Sequence, residues 1–189
     1  QALTIHREVG NRRGEGHTLA NLGYLYSDQD RIPEALEHYQ MSLSIVREIG
    51  DRQSEGTSLG NLGEMLFFEE DLDAAEPHLI RAITITDETF PLASGVFRGI
   101  LALVRAQQGA IEEGRSLLAE GEPKVRGVRK HELGKFLCNK ARVEHLAGDL
   151  EASNDAMMEA ETIARELGSG AESGLGQAII AARAQLSPR

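Results

Sequence analysis

Apolar residues recur along this chain at helical spacing, and the whole pattern then recurs about forty places later. Leu19, Leu22 and Tyr26 mark one face of a segment whose other face is polar, and Leu59, Leu62 and Leu66 repeat that face. Asn21-Leu22-Gly23 falls on Asn61-Leu62-Gly63, Ala35 on Ala75, and Arg7-Glu8-Val9-Gly10 on Arg47-Glu48-Ile49-Gly50. Self-similarity at a fixed period of about 20 to 50 residues marks a repeat architecture. The predicted fold is all-α, a right-handed superhelical solenoid of antiparallel helix pairs.

Each repeat is predicted to hold two amphipathic helices, at about 12–28 and 32–49, 52–69 and 73–88, 92–108 and 111–121, and 131–147 and 150–167. Residues 1–10 read as the second half of a preceding repeat. Residues 11–50, 51–90, 91–129 and 130–168 are full repeats, and 169–189 is a terminal or capping helix, all within one solenoid domain. Gly10-Asn11, Gly50-Asp51 and Gly168-Ser169 carry the stop-and-start signal of a glycine just past one helix and a capping residue before the next. Asp30 and Pro33 punctuate the first internal turn, and Pro188 closes the chain. Gly121 and Pro123 predict that the helix begun at 111 ends early, because a proline in a helix interior costs about 3 kcal/mol or more. A basic connection over 122–130 is the expectation. Opening inside a repeat, at Gln1, is what a segment of a longer protein would do.

Small residues set the packing. Gly23, Gly63, Ala102 and Ala141 lie on the first helices, and twelve places on come Ala35, Ala75, Gly114 and Ser153. Small side chains on both sides let two helices approach closely, and larger ones fill the spaces between. One repeat cannot bury its own apolar face, so neighbours must stack.

The spacing Leu19, Leu22, Gly23, Tyr26, Ala35, Tyr39, repeated as Leu59, Leu62, Gly63, Leu66, Ala75, Leu79, Ala82, resembles the tetratricopeptide repeat. The third and fourth repeats depart from it, with Arg98 and Arg105, then Lys140 and Glu144, at bulky positions. The period of about 40 exceeds the 34 usual in that family. Such long repeats are similar to arrays found in bacterial signalling proteins. The resemblance implies a non-catalytic module that binds a peptide or partner segment in a groove lined by the first helices. On that basis the groove residues are His17, Asn21, Tyr24, Asn61, Glu64, Phe67, Lys135, Asn139 and Arg142. Of Phe67 and Phe68, one is expected in the core and one on the surface. Asn21, Asn61 and Asn139 are equivalent, and an amide that both donates and accepts can pair with a peptide backbone of any sequence. Ile100 interrupts that row, and Ala20 and Tyr24 replace the clamp of chaperone-binding relatives. A regulatory arm that docks within a larger protein, or self-associates through its terminal repeats, is the alternative.

Charge and chemistry narrow the classes. A net charge of −10 argues against nucleic acid as a partner, although Lys124–Arg142 is locally +6 and could receive an acidic segment. A single Cys138 forms no internal disulfide, which suits a reducing, cytoplasmic setting. No apolar run reaches the roughly 18 residues of a membrane span. His131-Glu132 starts a zinc-helix motif that Lys135 breaks, and the Gly168–Gly176 run lacks the preceding strand of a phosphate loop. No catalytic residue, metal or cofactor is expected.

Overall fold

The computed structural model describes residues 1–29 and 31–186; Asp30 and Pro188, assigned above to a turn and to the chain's close, lie outside the described residues. Every regular element among them is an α-helix: α1 (Ala2–Glu8), α2 (Arg12–Asp28), α3 (Ile32–Glu48), α4 (Arg52–Phe68), α5 (Leu72–Thr89), α6 (Pro91–Gln107), α7 (Ile111–Val125), α8 (Lys130–Leu146), α9 (Leu150–Leu167) and α10 (Gly174–Leu186). The chain divides into two compact units, Gln1–Phe90 and Pro91–Arg189. In the first, α1 precedes the antiparallel pairs α2–α3 and α4–α5; in the second, the pairs α6–α7 and α8–α9 are followed by α10, which packs on α8.

The turns explain why helices start and stop where the sequence placed them. Asn11, Asp51, Asp71 and Asp149 each accept the backbone N–H three residues on, at 2.9 to 3.1 Å, satisfying a donor that the helix leaves unpaired. On the other side of the same turns, Gly10 and Gly50 take positive φ (66° and 69°). There Asn11 and Asp51 N–H reach back to the carbonyls of His6 and Val46. Glu70 takes the same left-handed conformation, φ 62°, in the turn between α4 and α5, where the later pairs place Gly109 and Gly148.

Close approach within each pair rests on the small residues. A Cβ on Gly63 would sit 2.8 Å from Leu79 Cγ, and one on Gly114 would sit 2.7 Å from the backbone oxygen of Ala102. In the fourth repeat, Ser153 replaces the glycine and donates its hydroxyl to the Ala141 carbonyl at 2.8 Å. Ala35, Ala75, Ala102 and Ala141 are fully buried.

One boundary differs from expectation. The helix containing Pro123 continues to Val125, leaving only residues 126–129 as the connection. Proline removes one hydrogen bond near the helix end. Against that, Val125 is completely buried, and Gly121, Lys124 and Val125 all pack on Gly95. Burying a whole valine side chain is worth about 1.5–3 kcal/mol, enough to hold the last turn.

The motif departures in the later repeats also have a physical account. Arg98 is buried and its Nε donates to Glu120 at 3.2 Å, with a further bond to Ser94. Buried Glu144 accepts two bonds from Arg115, at 3.0 and 2.5 Å, and Lys140 donates to Glu122 at 2.8 Å. Ion pairs between neighbouring helices stand where the earlier repeats use apolar contacts.

Replacing Gly114 by Ala sets a gain in helix propensity of about 1 kcal/mol against a clash with rigid backbone. Overpacking of that kind costs about 1–3 kcal/mol, so urea denaturation should show net destabilisation. The Cβ of Gly170→Ala meets open space, and that variant should match the parent within about 0.5 kcal/mol.

Candidate functional site

The outward row of the first helices is defined by what lies behind it. On α4, Gly60, Gly63 and Phe67 fall on one stripe, and all three are buried. Thr57, Asn61, Glu64 and Phe68 form the adjacent stripe at the spacing i, i+4, i+7, i+11, the spacing of one helical face. The first three are half-buried, and Phe68 is 66% exposed. The equivalent row on α2 is His17, Asn21, Tyr24 and Asp28, exposed throughout, with Tyr24 at 59%.

The two rows lie side by side. His17 Nε2 on α2 is 2.8 Å from Ser54 Oγ on α4, so the two helices meet in their N-terminal halves. Further along, the buried Tyr39 ring packs on Gly23. Burial pushes its phenol above the usual range, and the fields of Glu64 and Tyr24 add to that shift. Both residues therefore lie within electrostatic reach of the same phenol. The structure thus brings His17, Asn21, Tyr24, Asn61 and Glu64 to one accessible face.

Phe67 departs from its assignment. It is 6% exposed, because it continues the Gly63 stripe that faces α5, while its neighbour Phe68 points outward one hundred degrees round the helix. The expectation of one core and one surface ring holds, with the surface role falling to Phe68.

In the second unit, Lys135 and Asn139 are half-buried on α8. Arg142 is only 9% exposed, and its Nε donates to Gln185 of α10 at 2.5 Å. Burial lowers its guanidinium to about 10. Its expected role as an open cationic contact is corrected here: α10 covers it. The surrounding basic run is likewise occupied by local carboxylates. Arg126 binds Glu122 and Glu159, and Lys130 binds Glu166. The same environment affects Cys138, which is buried and whose thiol is pushed up to about 12 by desolvation, against the opposing field of Arg142.

Sequence reading missed a joint that holds the first repeats in register. Glu15 is buried and accepts from Arg7 Nε at 2.8 Å and Arg12 Nη1 at 2.6 Å. Forty places on, Glu55 is buried and accepts from Arg47 Nε at 3.1 Å and Arg52 Nη1 at 2.6 Å. The signal was present in the repeated Arg7-Glu8-Val9-Gly10-Asn11-Arg12 phrase, with the acid three places further on. A separate cleft of about 510 Å³ opens in the first unit on the side of the second helices. Leu36, Leu43, Leu59 and Leu62 floor it, and Arg47 and His78 line it.

Residues 14–88 match the family model described as the tetratricopeptide repeat. That stretch is an array of tetratricopeptide repeats. The matched stretch lies within the first unit and takes in most of both its helix pairs. Tetratricopeptide repeats are generally protein-interaction modules. Among solved structures, the chain is similar to the crystal structure of BtubC (BKLC) from P. vanneervenii, with a TM-score of 0.67 and 16% identity. The likeness covers 84% of this chain and 66% of that one, so the chain spans about two thirds of its length. At that identity the likeness concerns the fold. No curated protein matches the sequence. No helix among the described residues is long and apolar enough to cross a membrane.

The Arg7 hydrogen bond, reinforced by Arg12, holds the Glu15 carboxyl below its usual range against the opposing push of burial. A depressed carboxyl contributes stability above its unfolded value of about 4.3 and loses it as pH falls through the folded value. Glu15→Gln should therefore melt lower than the parent at pH 7, with the gap narrowing toward pH 3. A constant gap would make the residue's role one of packing. For Cys138, a thiolate fraction of about one in ten thousand at pH 8 should leave the native protein unreactive to Ellman's reagent until denaturant is added.

Proposed function

We propose that this chain is a non-catalytic interaction module that holds an extended partner segment along the outward row of α2 and α4. The observation that carries the reading is the placement of two equivalent amides, Asn21 and Asn61, at the same register on adjacent helices and within the accessible row. Each amide supplies one donor and one acceptor, the pair of groups that an extended peptide backbone offers in return. Tyr24 and Phe68 flank the amides with apolar surface, and a binding face of this kind gains most from such aromatic anchors. Asn139 occupies the equivalent position on α8 and gives the second unit its own candidate contact.

The fold supports such a role because the side chains of the row stand on helices fixed from behind. Gly23 and Gly63 lock α2 and α4 onto their partners, so the backbone that carries the row is already ordered when a segment arrives.

The test is a pull-down from lysate with the parent and with Asn21→Ala/Asn61→Ala, read by mass spectrometry. The double variant should keep its helical circular dichroism and lose at least one protein that the parent recovers. Equal recovery by both proteins would favour the alternative, an arm that docks within a larger protein or self-associates.

A further inference from the structure

All of the chain's net charge sits in the first unit. Residues 1–90 hold seven arginines, no lysine and seventeen acids, whereas residues 91–189 hold thirteen cations and thirteen acids. Six of the seven arginines, Arg7, Arg12, Arg13, Arg31, Arg47 and Arg52, are already bonded to carboxylates of the same unit. The surplus acids are not spread evenly. Asp28 ends the α2 row four places after Tyr24, and Glu69 and Glu70 follow Phe68 at the end of α4. All three are exposed, and among the described residues no ion pair to them is seen.

Two further features act at the same end. Tyr24, Leu25 and Phe68 expose apolar surface there. α2 ends just after Tyr24 and Leu25 and α4 ends at Phe68, so each presents the negative pole of its helix dipole beside these side chains, equivalent to about half a charge each. Exposed apolar side chains flanked along each helix by anions and a carbonyl end are poorly matched to water, to an acidic segment or to nucleic acid. They are well matched to long cationic side chains, whose methylene stems cover apolar surface while their heads stay among the carboxylates.

Building on the reading of this row as a binding face, we propose that the partner segment of the first unit is basic and partly apolar, a lysine- or arginine-rich stretch of another protein. Its apolar residues lie on Tyr24, Leu25 and Phe68, and its cations face Asp28, Glu69 and Glu70.

The experiment uses three fluorescein-labelled 15-residue peptides, repeats of Lys-Leu-Ser, Gln-Leu-Ser and Glu-Leu-Ser, titrated with the full chain and read by anisotropy. The lysine peptide should bind at least about tenfold more tightly than the glutamine peptide, a difference of about 1.4 kcal/mol, and the glutamate peptide should not bind. Asp28→Asn/Glu69→Gln/Glu70→Gln should weaken the lysine peptide about tenfold and flatten its salt dependence. Tyr24→Ala/Phe68→Ala should weaken it too. The control Glu8→Gln/Glu37→Gln/Glu88→Gln removes the same charge from exposed positions on α1, α3 and α5 and should change binding less than about twofold.

Equal weakening by the control would overturn the proposal, since attraction would then follow net charge alone. Equal affinity for the lysine and glutamine peptides, or no binding of any, would overturn it as well. The reading beneath it is tested separately. Equal affinities that still fall in Asn21→Ala/Asn61→Ala would remove the basic class and leave the row. Lysine-peptide binding that ignores those amides but needs the three acids would keep the class and remove the backbone grip.

Discussion

The closeness of two helix backbones is the constraint on which everything else in this chain depends. Within each pair, the axes meet where one side chain is glycine or alanine and the facing one is equally small. Gly63 against Leu79 and the Ala75 carbonyl, and Gly114 against the Ala102 carbonyl, leave no room for a further carbon atom. This contact fixes the rotation of each first helix about its own axis. Rotation in turn decides which stripe is buried and which looks outward. Had α4 turned by one residue, Phe68 would be buried and Phe67 would be on the surface.

Electrostatics act on this frame as local joints. Glu15 and Glu55, each gripped by two arginines, tie the start of one helix to the end of the helix before it. In the second unit, Arg98–Glu120 and Arg115–Glu144 do related work at positions where the first unit is apolar. Buried pairs of this kind add little net stability over well-packed apolar residues, but losing one partner is costly. They therefore favour one register over its neighbours. The two units also differ in charge, since acids outnumber arginines in the first, where six of seven arginines are paired, and the second is balanced.

Much of this was legible in the sequence, and the parts that were not have definite causes. Helix number, order and most boundaries follow from the period and from paired turn signals such as Gly50-Asp51, because capping is decided by adjacent residues. The burial of Val125 was not readable, since it depends on Gly95, thirty residues earlier, and so the helix outlasts Pro123. Arg142 looked like surface because its cover, α10, comes forty residues later and meets it through Gln185. Phe67 and Phe68 differ by one residue, and the choice between them needed the rotation set by Gly63. Asn21 and Asn61 fall on the outward stripe because they sit at fixed offsets from Gly23 and Gly63, the residues that set the rotation.

The account's central claim is that partners meet the first unit on the α2–α4 row rather than on the cleft side formed by the second helices. The most direct measurement places the photo-crosslinking residue p-benzoylphenylalanine at Tyr24, on the row, and separately at Ser44, an exposed α3 position that lines the cleft. After irradiation in cells, the account predicts a discrete cross-linked partner from position 24 and none from position 44. A cross-link from position 44 alone, or from neither position, would contradict it.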